Sequence, residues 1–145
     1  MRTNIQVDGR RRPVSETEKI TINLGPVDLG RIDVLVEQGL YSNRTDLIRT
    51  AIRNQLDRHE SVIEAHAVKW SFVLGVESVT RSRLEEIKSE GRKLSLRVIG
   101  MLRLAEDIDP ELARETIEAI RVHGSFHAPP ALREALADRI YPRRG

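Results

Sequence analysis

Cysteine is absent from the 145-residue chain, which excludes both disulfides and thiolate metal centres. Aromatic residues make up 3% of it, too few to supply the stacking platforms that hold single-stranded nucleic acid. No apolar run approaches the roughly 18 to 20 residues that cross a bilayer. The first residues, MRTNIQVDGRRRPVSE, carry charge where a secretory signal would carry an apolar stretch, so a cytoplasmic protein without a membrane partner is expected. There is no Gly-rich phosphate loop and no serine elbow, and the carboxylates of RLEEIKSE and LAEDIDPE read as helix faces and caps. No enzyme and no cofactor are expected. The four histidines offer no tight ligand cluster: His59 and His66 lie seven apart, and His123 and His127 lie four apart on a strand-like segment. No metal site is expected either.

Charge is nearly balanced, with 24 basic and 22 acidic residues. Its distribution is uneven, because Arg2, Arg10, Arg11 and Arg12 precede everything else with Asp8 alone against them. Residues 1–17 therefore read as a flexible basic arm. After it, EKITINLGP alternates strictly: Ile20, Ile22 and Leu24 on one face, Lys19, Thr21 and Asn23 on the other. Gly25-Pro26 ends this strand, and Pro26 suits the first turn of a helix to about Glu37 that buries Leu29, Ile32, Leu35 and Val36, with Gly39 as its stop. In LYSNRTDLIRTAIRNQLDRH, Ser42 or Asn43 caps a second helix, Asp46 completes a capping box, and the absence of a breaker predicts continuation towards Ala67.

One strand and two helices over about 40 residues cannot bury enough apolar surface to fold alone, and a lone strand has two unpaired edges. Pairing with a second copy solves both problems. In the resulting antiparallel ribbon both copies of Lys19, Thr21 and Asn23 point outwards, and such a ribbon fits the DNA major groove. The plain alternative, a solvated strand face, leaves the YSNRTD turn unexplained; there the amides of Ser42, Asn43 and Arg44 open a helix and can hold a phosphate.

On KITINL, LGRIDVLVEQGLYSNRTDLIRTAIRNQL and the YSNRTD turn, residues 18–58 resemble a ribbon–helix–helix DNA-binding domain of the MetJ/Arc/CopG type. The resemblance implies a homodimer on double-stranded DNA, with Lys19, Thr21 and Asn23 as base readers and Ser42, Asn43 and Arg44 at the phosphate clamp. Arg10, Arg11 and Arg12 are candidates for further phosphate contacts. Two positions depart from the family pattern: Gly25 intervenes before the proline, and Asn23 stands where relatives often carry arginine. The function implied is a bacterial-type, nucleoid-associated transcriptional repressor; an antitoxin with a toxin partner and a DNA-coating nucleoid protein are the alternatives.

The fold class expected is α+β, with a ribbon–helix–helix domain over residues 18–62 and a small α/β domain over residues 70–145. The second part holds a weak repeat: VLGVESV, VIGMLRL and VHGSFHA align on Gly75, Gly100 and Gly124, spaced 25 and then 24 residues apart. Each predicts a strand followed by a helix, at 83–89, 110–120 and 130–140, giving about three stacked units. Open edges on such a stack predict assembly of dimers into tetramers or larger arrays.

Overall fold

The computed structural model of the chain describes residues 17–141; the arginines at 10–12 lie outside them. Helix α1 spans Pro26–Glu37, α2 spans Arg44–Arg58 and α3 spans Glu60–Trp70. A βα layer follows: β1 Val73–Val79, α4 Arg81–Ser89, β2 Leu94–Leu104, α5 Pro110–Thr116, β3 Ile117–His127, α6 Pro130–Ala135, a short 3-10 turn and β4 Ile140–Tyr141. The four strands are parallel and ordered β1-β2-β3-β4. Crossovers of one hand between consecutive parallel strands put the helices on one face of such a sheet. That helical face holds the core: Leu84, Leu112, Ala113 and Leu132 from the helices close on Val79, Leu96, Val98, Leu102, Leu104, Ile117 and Ile120 from the strands.

The sequence repeat is a register. Gly75 pairs with Gly100 and Gly100 with Gly124, so the three glycines form one row across the sheet. A Cβ on Gly100 would lie 2.1 Å from the carbonyl oxygen of Gly75, and one on Gly124 would lie 2.1 Å from that of Gly100. No side chain fits so close an approach. Local signals agree at the helix starts: the Thr80 side chain accepts from the Arg83 amide, and Asp109 accepts from the Glu111 amide ahead of Pro110.

Three expected boundaries move. The second helix does not run unbroken to Ala67: His59 leaves helical geometry at φ −110°, ψ 12°, its amide bonds back to Leu56, and α3 starts anew at Glu60. The helix expected over 110–120 stops at Thr116, and β3 begins at Ile117 with no loop between. Thr116 is buried and its hydroxyl donates to the Leu112 carbonyl at 2.6 Å. A bulge accounts for the difference. Leu94 pairs with Ile117 but Ser95 pairs with Ala119, so Glu118 is the extra residue. Ile117 and Ile120 can then both be fully buried at a helix-like spacing of three. The helix expected over 130–140 is likewise shorter, α6 ending at Ala135, and the stack has four strands, not three.

The strand expected over residues 19–24 is not formed: among the described residues they have no ladder partner. From Thr17 to His66 no residue is buried, and Ile20, Ile22 and Leu24 are 73%, 54% and 43% exposed.

Candidate nucleic-acid interface

An extended backbone at Gly25 (φ −65°, ψ 152°) carries residues 18–24 directly into α1, with Pro26 at its first helical position. The Leu29 amide donates to the Gly25 carbonyl at 3.0 Å. Gly25 thus serves as the N-cap, without a side-chain cap. Lys19, Thr21 and Asn23 are all exposed. Just before them, the Glu18 carboxylate accepts from the Ser125 hydroxyl, which also lies 2.6 Å from His127 Nε2 on the sheet.

The start of α2 is fixed by two reciprocal bonds. Asn43 is extended, its Oδ1 accepts from the Asp46 amide at 2.9 Å, and the Asp46 carboxylate accepts from the Ser42 amide at 3.0 Å. The capping box therefore occupies the Ser42 amide. An incoming anion would meet the amides of Arg44 and Thr45, the first two helical positions, at the positive end of the helix. The Arg44 side chain is committed elsewhere: its Nε and Nη2 donate to the two Asp33 oxygens at 2.6 and 2.7 Å, joining α2 to α1. That hydrogen-bonded guanidinium holds the Asp33 carboxyl below its ordinary value, and the same bond raises Arg44.

Two residues not singled out by sequence complete the site. Arg49 and Arg53 line an open cleft of about 470 Å³ with Ser42, Asn43, Thr45 and Asp46. Neither forms an ion pair with a described residue, so both cations are available at the mouth of the cleft. The signal was present as Thr45, Arg49 and Arg53 at i, i+4 and i+8 on α2, one face of a helix. The histidines behave differently. His66 and His123 meet through Phe72, with ring centroids 5.5 and 5.2 Å from it, and the described residues contain no group of three or more metal-ligating side chains.

An exposed alternating segment followed by two helices, with a capped turn between them, is the order of parts of a ribbon–helix–helix module. The chain belongs to the Ribbon-Helix-Helix transcriptional regulator family, whose model matches residues 15–133. It is also similar to the transcriptional regulator CdrS of Halobacterium salinarum, 29% identical over 56 residues, covering 39% of this chain and 98% of that protein. No solved structure matches the chain significantly. DNA-binding transcription regulation is accordingly the class of function. No helix among the described residues is long and apolar enough to cross a membrane.

Proposed function

We propose that two copies of this chain pair their 18–25 segments into an antiparallel ribbon that enters the DNA major groove and represses transcription from the bound site. Lys19, Thr21 and Asn23 read base edges: Asn bonds adenine in bidentate fashion, Lys reaches guanine acceptors, and Thr offers a hydroxyl and a methyl. The first-turn amides of α2 at Arg44 and Thr45, next to Ser42 and Asn43, take a phosphate on each side, with Arg49 and Arg53 beside them. Arg10, Arg11 and Arg12 add phosphate contacts that fix affinity rather than sequence. The sheet region brings such dimers together.

The observation that carries this reading is the exposure of both faces of one alternating segment. Ile20, Ile22 and Leu24 have no core to enter in a single chain, and a second copy supplies one while turning the polar row outwards. The test is selection from a genomic fragment library at fixed salt, comparing wild type with a Lys19/Thr21/Asn23 triple-alanine variant. Wild type should recover a few symmetric sites and the variant none. Equal recovery of all fragments by both would overturn base readout.

A further inference from the structure

Among the described residues, two margins of the sheet stay open. β1 lies at one end of the strand order. At the other, β4 covers β3 only at Ile120 and Arg121, so among the described residues 122–127 have no strand on their outer side. Sheet edges are commonly blunted by charge, proline or a bulge, and end units of stacked repeats by a polar face. β1 has no proline and no bulge, Glu77 is its one charge, and Val73, Leu74 and Val76 are 45%, 48% and 68% exposed.

The junctions inside the sheet specify what can sit on the β3 margin. At each, glycine faces glycine because the carbonyl of the earlier one occupies the place of a Cβ on the later one. Gly124 has the same backbone conformation, φ +121° against +117° at Gly75 and +136° at Gly100. Its carbonyl therefore presents the same obstacle to the next strand, which must carry glycine at that register. β1 is the strand that meets this demand: a Cβ on Gly75 would meet nothing within 4 Å in its own chain. The lengths also match. With Gly75 opposite Gly124, β1 would start at Val73 opposite Val122, the first residue that β4 leaves uncovered.

We infer that β1 of a second copy adds in parallel to the outer edge of β3, Gly75 opposite Gly124, and continues the ladder head to tail. This inference rests on the reading of the sheet region as the part that assembles dimers, and gives that assembly a register. The contact is heterologous, so it links chains into rows or rings instead of closing a pair. Dimers on neighbouring DNA sites would be joined through it.

The absence of native cysteine makes the test clean. Ser78 and His127 would be adjacent across the contact, about 4.8 Å apart and within disulfide reach. Within one chain Arg103 stands between them, each residue pairing with it, which puts them roughly twice that distance apart. Oxidised full-length S78C/H127C should run as a ladder of covalent dimers, trimers and higher multiples on a denaturing gel. Either single variant should not. Val76→Lys in the double-cysteine chain should abolish the ladder with circular dichroism unchanged, and a Val73→Cys/Val122→Cys pair reads the same register from the other end. No ladder from either folded double variant overturns the inference. If wild type still sediments as tetramers or larger, the edge geometry alone has failed. If it stays a dimer at every concentration, the assembly reading has failed with it.

Discussion

Residues 17–66 and residues 73–141 meet the same requirement, removal of apolar surface from water, in opposite ways. The second set encloses thirteen mutually packed buried side chains between one sheet face and three helices. The first set buries nothing, although Ile20, Ile22, Leu24, Val27, Val34, Ile52 and Leu56 are all among its exposed residues. Burying one such side chain stabilises by about 1.5–3 kcal/mol, so the seven together represent a large driving force with no outlet among the described residues. The helices are nonetheless well formed, with a complete capping box and a bidentate Arg44–Asp33 tie. Local signals shape this part; in the proposed ribbon dimer its core is shared by two molecules. Local order and a buried core are thus separate properties, and residues 17–66 have the first without the second.

The sharpest way to break the contrast is to attack the self-contained part. Gly100→Ala places a Cβ 2.1 Å from the Gly75 carbonyl at φ +136°, and both neighbouring strands depend on that row. We expect a loss of about 3 kcal/mol or more in the unfolding free energy of the sheet, read by urea titration. A loss below about 1 kcal/mol would mean that the row tolerates a side chain.

An attack on the partner-dependent part should instead appear in binding. Asn23→Ala touches no core residue, and should cost about 1–3 kcal/mol on the selected site and little on random DNA. Fluorescence anisotropy on both duplexes at one salt concentration decides it. Equal losses on the two would reassign Asn23 from base reading to general contact.

How far these properties were legible in the sequence follows the same division. Pro26 at a helix start and the Asn43–Asp46 spacing each report local geometry, and α1 and α2 begin where those residues put them; the strand expected from the alternation in KITINL does not form among the described residues. The glycine spacing was also legible, since a row of close approaches leaves no substitute residue. What was hidden is relational. Glu118 becomes a bulge only because Leu94 and Ser95 on another strand set its register, so Ile117 and Ile120 imitate a helix face. His59 interrupts the α2–α3 path with neither glycine nor proline to mark it. Arg49 and Arg53 matter through the cleft they share with the α2 cap, a grouping visible only once the helix is placed.

Dilution separates the two regions without any substitution. A fold completed by a second copy loses about 1.4 kcal/mol of stability per tenfold drop in concentration, because unfolding releases two chains. Hydrogen exchange across a dilution series should show protection falling in 26–58 and holding in 94–104 and 117–127. Parallel loss in both would make the sheet as dependent on a partner as the helices are.

The smallest effect tests how the unburied helices keep their mutual angle. Arg44–Asp33 is, among the described residues, the ion pair that joins α1 to α2, and both side chains are about half exposed, at 54% and 43%. Water and salt therefore screen it, and Asp33→Asn should lower the urea midpoint at neutral pH only slightly. The pH dependence has a definite sign. The Arg44 guanidinium holds the Asp33 carboxyl below its ordinary value in the fold, so its contribution is fully present above that ordinary value and is lost as pH falls through the lower, folded one. Wild type and the Asp33→Asn variant should thus differ at pH 7 and converge in acid, once the pH has fallen through the lowered Asp33 value. A difference that persists in acid would mean that Asp33 acts by shape or hydrogen bonding alone, and that the angle between α1 and α2 is set by the second copy.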